Sequence, residues 1–258
     1  MNTHVQTALG KFVWHDHTSG DVEQAKSFYT ELLGWETETW DAAGMNYPMI
    51  KVDGRMHGGF GTSQGGAPPH WLGHVLVEDA EEAAEKIKAA GGTIYYGPAD
   101  IPEVGRFVLF ADPQGAALSA FAGSSPPEEG APEGVFVWNE LMTSDVGAAK
   151  TFYGNVFGWT SRDMDIGGGM TYTMFEAPTG GDVGGAMAPT DEMRSNGVPP
   201  NWLPYLGTDD VDATTGKAAE LGATVHMQPT DIPDVGRFSV LQDPPGAAFA
   251  LFQPTAEQ

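Results

Sequence analysis

The chain has 258 residues, 41% hydrophobic and 18% charged, the make-up of a globular protein of one or two domains rather than a disordered one. Twelve Lys and Arg face 35 Asp and Glu, a formal charge of −23, which argues against nucleic acid and anionic membranes as partners because both require a clustered basic surface. The absence of Cys removes disulfides, thiolate-bound metals and cysteine nucleophiles. No apolar run approaches the roughly 18 residues of a membrane span, and Met1–Gly10 lacks the basic-then-apolar order of a signal peptide, so a cytoplasmic location is expected.

In chain order, Phe12–Asp16 reads as a short aromatic strand. Ser19 or Asp21 caps a helix whose apolar residues Val22, Ala25, Phe28 and Leu32 fall on one face, and Gly34 supplies the left-handed residue that stops it. Alternating segments follow at Glu36–Trp40, Met45–Val52 and Met56–Thr62. After a Gly/Pro break at Gly65–Pro69 the order restarts with a strand over Trp71–Val77 and a helix capped by Asp79, running through Ile87 to Gly91-Gly92. Strands near Thr93–Tyr96, Arg106–Phe110 and Ala117–Phe121 complete the set.

This pattern occurs twice. Phe12-Val13-Trp14 recurs as Phe136-Val137-Trp138, and Phe28-Tyr29 with Leu33-Gly34-Trp35 as Phe152-Tyr153 with Phe157-Gly158-Trp159, both 124 residues later. Pro68-Pro69-His70-Trp71-Leu72 returns as Pro199-Pro200-Asn201-Trp202-Leu203, now 131 later. Asp100–Phe121 matches Asp231–Phe252 at 13 of 22 positions. The expected division is a first domain over 1–122, a Ser/Pro/Glu/Gly-rich linker over 123–134 and a second domain over 135–258, each domain built as βαβββ twice in α+β order.

The Phe-Tyr…Leu/Phe-Gly-Trp helix ends and the turns Asp112-Pro113-Gln114-Gly115 and Asp243-Pro244-Pro245-Gly246, in this order and duplicated, resemble the glyoxalase/bleomycin-resistance/dioxygenase family, the vicinal-oxygen-chelate fold. The nearest likeness is to a two-domain subgroup labelled glyoxalase-like or hydroxylase. The resemblance implies two tandem vicinal-oxygen-chelate domains of four βαβββ modules, each pair of modules curling into an open cup. It also implies a divalent ion on the cup floor, held by His and Glu from first and last strands, that acts as a Lewis acid on two neighbouring substrate oxygens. Counting from the motifs, the first-strand positions fall on Trp14 and Trp138, those of the second modules on Leu72 and Leu203, and the last-strand positions on Ser119 and Ala250. The remaining position falls in Gly58-Gly59 and Gly184-Gly185. Trp, Leu, Ala and Gly offer no lone pair to a metal and Ser is a poor ligand, so no metal and no other cofactor is expected.

Strand alternation then places Phe12, Trp14 and Asp16 on one cup face with Leu72, His74, Ser119 and Phe121. The second cup receives Phe136, Trp138, Glu140, Leu203, Tyr205 and Phe252. Such walls suit a small, flat, largely apolar or aromatic molecule with a few polar groups, although an aromatic on a half-buried strand is more often core. Asp16 and Glu140 need a partner if they face inward. Arg106 and Arg237 read as structural ion-pair residues. His15-Asp16-His17 does not by itself make a metal site, because adjacent strand residues point to opposite faces.

Three functions remain open: a metal-free binding protein for sequestration, resistance or a biosynthetic role; a metal-dependent lyase, isomerase or dioxygenase whose ligands lie elsewhere, with Asp16, His74 and His57 as one candidate set; and a cofactor-free enzyme using Asp16 and His74 as acid and base. Four modules in one chain can close their cups internally, so a monomer is expected.

Overall fold

The computed structural model describes residues 8–42, 45–63, 66–123, 135–167 and 169–255. Most of the expected linker, 124–134, lies outside them, as does Gly65 of the expected break. The first module is β1 (Phe12–Ser19), α1 (Val22–Leu33), β2 (Glu36–Ala42), β3 (Met45–Val52) and β4 (Arg55–Thr62). The second is β5 (His70–Leu76), α2 (Ala80–Ala89), β6 (Thr93–Ile101), β7 (Gly105–Ala111) and β8 (Ala117–Gly123). The third is β9 (Phe136–Met142), α3 (Val146–Phe157), β10 (Thr160–Asp165), β11 (Thr171–Glu176) and β12 (Asp182–Met187). A short helix, α4 (Asp191–Ser195), precedes the fourth: β13 (Asn201–Gly207), α5 (Val211–Glu220), β14 (Thr224–Ile232), β15 (Gly236–Gln242) and β16 (Ala248–Pro254). The α+β order of four βαβββ modules is thus present as read from the sequence.

Local chemistry explains the boundaries. Asp21, not Ser19, caps α1 by accepting the Gln24 amide at 2.9 Å, and Gly34 closes it at φ +71°. Asp79, Asp145 and Asp210 cap α2, α3 and α5 through the same bond. The helix α4 lies in the segment where the spacing between the repeats lengthens.

The strands form two eight-stranded sheets, one per repeat, ordered β2-β3-β4-β1-β5-β8-β7-β6 and β10-β11-β12-β9-β13-β16-β15-β14. Within each module the first and last strands run parallel: Asp16 pairs with Gly59, His74 with Ser119, Glu140 with Gly185 and Tyr205 with Ala250. These eight positions are therefore equivalent across the four modules. The last-strand positions pair two residues beyond Trp14, Leu72, Trp138 and Leu203. The shift preserves the face, because the strand period is two, but it replaces Trp and Leu by Asp16, His74, Glu140 and Tyr205.

By packing, the chain forms two compact units. One comprises Met1–Trp14, Gly73–Ala131 and Trp138–Trp202, the other His15–Leu72, Pro132–Val137 and Leu203–Gln258. In the first, α2 packs on α3 over a core that includes Ile87, Phe110, Phe152, Tyr153, Trp159, Phe175 and Trp202. In the second, α1 packs on α5 over Phe28, Tyr29, Trp35, Ile50, Phe60, Trp71, Leu206 and Phe249. Each large side chain so buried contributes on the order of 1.5–3 kcal/mol. Each unit therefore joins one helix from each repeat.

Candidate functional site

The tyrosine–tryptophan and Asp-Pro-x-Gly motifs meet. In the first unit the Tyr153 hydroxyl donates to Asp112 Oδ2 at 2.9 Å and accepts from Trp202 Nε1 at 2.8 Å, while Asp112 Oδ1 takes the amides of Gln114, Gly115 and Ala116. In the second, Tyr29 donates to Asp243 Oδ2 at 2.9 Å and accepts from Trp71 Nε1 at 2.9 Å, and Asp243 Oδ1 takes the amides of Gly246 and Ala247. Burial, and next the neighbouring carboxylate, push both tyrosine hydroxyls well above the usual phenol range. The motifs that carry the family likeness thus form the helix-side cores.

Phe12 and Phe136, both half-buried, pack against those cores, contrary to the alternation argument. Phe12 lies 6.0 Å from Trp159 and 5.5 Å from Trp202, and a Cβ on Gly73 would strike its ring at 2.5 Å. Phe136 stacks on His15 at 4.0 Å and meets Trp71 at 5.4 Å. Phe12 and His15 are three residues apart yet both pack into aromatic cores, so the two-residue period does not run unbroken through β1. The strand leaves one compact unit and enters the other between Trp14 and His15.

From Asp16 onward the alternation holds. His17 turns into the core, with Nε2 2.7 Å from Asp243 Oδ2, while Asp16 on the opposite face accepts a hydrogen bond from the Tyr47 hydroxyl. Glu140 likewise accepts from the Tyr172 hydroxyl, which also receives Trp138 Nε1 at 2.7 Å. Burial, and then the charge of Glu140, raise the Tyr172 hydroxyl far above its ordinary value and keep it protonated. Glycine makes room for both rings: a Cβ on Gly59 would lie 2.2 Å from Tyr47, and one on Gly185 would lie 2.0 Å from the Tyr172 hydroxyl. Each tyrosine thus lies over the last-strand position of its module.

Tyr47 and Tyr172 were not among the residues singled out from sequence. A signal existed, since Tyr47-Pro48-Met49 and Tyr172-Thr173-Met174 recur in corresponding strands.

The remaining candidates divide as follows. Leu72, His74 and Ser119 are buried, and Ser119 Oγ has no hydrogen-bond partner among the described residues. Phe121 is half-buried over Gly105, whose added Cβ would meet its ring at 2.9 Å. Leu203 is half-buried. Tyr205 stacks on Phe238 at 6.0 Å and meets Phe252 edge-on at 6.4 Å. Phe238, from the recurring Val-Gly-Arg-Phe motif, is thus a further wall residue. The arginines of that motif are structural: Arg106 pairs with Glu81 and Asp100, Arg237 with Asp212 and Asp231. Among the described residues no three His, Asp or Glu side chains gather closely enough to hold a metal ion, and no helix is long and apolar enough to cross a membrane.

Comparison with known proteins agrees with this architecture. The family model "Glyoxalase/Bleomycin resistance protein/Dioxygenase superfamily" matches residues 12–119 and 136–251. "Putative glyoxylase CFP32" of Mycobacterium tuberculosis is 35% identical over 256 residues, covering 95% of each chain. "Anthracycline biosynthesis protein DnrV" of Streptomyces peucetius is 32% identical over 271 residues, covering 95% of this chain and 94% of its own. The crystal structure of a Mn(II)-bound glyoxalase from Novosphingobium aromaticivorans superposes with a TM-score of 0.63 at 14% identity, over 95% of this chain and 82% of its own, a likeness of fold alone. The chain belongs to the glyoxalase/bleomycin resistance protein/dioxygenase superfamily.

Proposed function

We propose that this protein binds a small, largely apolar or aromatic molecule without a metal ion, for sequestration, resistance or a biosynthetic step. The observation that carries the reading is the carboxylate–tyrosine pair found once in each repeat. Where the fold family can place a last-strand metal ligand, this chain has Gly59 and Gly185, each covered by a tyrosine that hydrogen-bonds an acidic side chain. The corresponding positions of the other modules are Ser119 and Ala250. The first-strand positions paired with them, Asp16, His74, Glu140 and Tyr205, add donors, but no three His, Asp or Glu side chains gather among the described residues, and a divalent ion needs at least three lone-pair donors at fixed positions. A protonated tyrosine beside a carboxylate suits recognition of a neutral polar group on an otherwise apolar ligand. The relative from anthracycline biosynthesis supports an aromatic ligand class.

The test combines elemental analysis of untagged protein with mass spectrometry of whatever small molecule co-purifies, followed by titration of a planar hydroxyquinone with tryptophan fluorescence as readout. Metal well below one equivalent and saturable quenching are expected. Stoichiometric divalent metal that is required for binding would overturn the reading.

A further inference from the structure

We propose that the first repeat selects ligands that donate a hydrogen bond, and that the acceptor is Nε2 of His57. The inference rests on the binding reading above and specifies which chemical group is recognised.

His57 lies on β4 and is 7% exposed. A backbone hydrogen bond to Val52 holds the ring, yet Nε2 is buried with no hydrogen-bond partner among the described residues. A nitrogen orphaned in this way carries an uncompensated desolvation cost, which an apolar side chain would avoid. The second repeat takes that course: Val183 precedes Gly184-Gly185 where His57 precedes Gly58-Gly59. Burial lowers the affinity of the His57 imidazole for a second proton, leaving a neutral ring. With the other nitrogen engaged by the backbone, Nε2 presents a lone pair.

Register places the ring on the face of the carboxylate–tyrosine pair. Ile50 pairs with Gly58 but Lys51 with Met56, so His57 is the extra residue of a β-bulge. The bulge sets Met56 and His57 together opposite Lys51, two residues along β3 from Met49, which pairs with Gly59. Gly59 is the residue Tyr47 covers, and the Tyr47 proton is committed to Asp16. Carboxylate oxygens and an imidazole lone pair are acceptors, so a complementary ligand brings O–H or N–H. The charge of −23 disfavours an anion and leaves neutral or cationic donors.

A matched pair of probes tests this on the full chain: 1-naphthol and 1-methoxynaphthalene share the ring system, and only the first donates. Wild-type protein should bind 1-naphthol roughly tenfold more tightly, near the upper worth of one neutral hydrogen bond. His57→Phe should erase the preference while binding of the ether persists. Because the variant could fold poorly, the imidazole nitrogens of the wild-type protein are also followed by long-range proton–nitrogen NMR. The His57 Nε2 resonance should move with 1-naphthol and stay in place with the ether. Equal binding of both probes, or a preference that survives His57→Phe, or an unmoved Nε2 resonance at saturation, overturns the role of His57 and leaves the aromatic pocket intact. Failure of both probes to bind wild-type protein overturns the binding reading as well.

Discussion

The two compact units solve one packing problem with the same parts, and they differ in what stands beside the shared turn carboxylate. In both, an Asp from an Asp-Pro-x-Gly turn ties its own turn amides to a buried tyrosine, and a tryptophan N–H closes the chain of bonds. One unit stops there, with Leu141 fully buried on β9. The other adds His17 on β1, fully buried, with Nε2 on Asp243 and Nδ1 lacking a partner among the described residues. The shared part is what the duplicated sequence conserves between its halves. The histidine is an addition that one unit does without, so the turn carboxylate and the tyrosine should carry most of the energy.

The largest effect should come from the carboxylates. Asp112→Ala leaves three amides and the Tyr153 hydroxyl without their acceptor and should cost on the order of 3 kcal/mol or more. Asp243→Ala should cost about the same, because it orphans His17 but one amide fewer, Pro245 having no N–H to donate. Urea unfolding followed by tryptophan fluorescence compares the two. A loss at Asp243 smaller by about the worth of one hydrogen bond would show that His17 adds nothing to its unit, and small losses at both sites would remove the carboxylates from the centre of the argument.

Next come the hydroxyls. Tyr29→Phe and Tyr153→Phe each leave an indole N–H and a carboxylate oxygen short of one bond, at about 1–2 kcal/mol apiece. The same groups govern alkaline stability. Their folded-state pKa values lie above the ordinary phenol value near 10, so the stability they contribute is complete below that pH and is lost as pH rises through it toward the folded values. Alkaline titration should therefore show delayed ionisation of Tyr172 and of these two tyrosines, the last two released together with unfolding. In Tyr29→Phe one delayed proton should disappear from the tyrosinate absorbance. Ionisation of both at ordinary pH in folded protein would contradict the burial argument.

What the sequence made legible follows from which interactions are local. The helix caps at Asp21 and Asp79 and the αL stop at Gly34 depend on residues within a turn of one another, and the repeat shows on direct comparison of the two halves. They were readable. The partners of Tyr29 and Asp243 stand 214 residues apart, and only tertiary packing brings them together. The candidate site was half legible for the same reason. Asp16, His74, Glu140 and Tyr205 are found by alternation along single strands. Phe12 and Phe136 were misassigned to cups because alternation fails where β1 and β9 pass between compact units. Tyr47 and Tyr172 escaped because a side chain reaching over a glycine on the neighbouring strand leaves no period in its own. Gly59 and Gly185 carry that information only once the register is known.

The smallest expected effect makes the sharpest comparison. His17→Leu gives the second unit the kind of side chain that Leu141 provides on β9. The substitution removes a fully buried imidazole whose Nδ1 has no partner among the described residues, a desolvation cost that disappears with the ring. It also removes one hydrogen bond from Asp243, but that carboxylate keeps the Tyr29 hydroxyl and the amides of Gly246 and Ala247, so its charge is not abandoned. Leucine restores apolar contacts to Phe60 and Trp71, whose rings now lie 5.9 and 5.1 Å from the imidazole. Gain and loss should nearly cancel, leaving the free energy of urea unfolding within about 1 kcal/mol of wild type. In His17→Leu the cost of Asp243→Ala should fall below that of Asp112→Ala, a double-mutant test that does not depend on the absolute size of either effect. Were His17→Leu alone to cost about 3 kcal/mol or more, the carboxylate would depend on the imidazole, and the two units would be held by different chemistry despite their common motif.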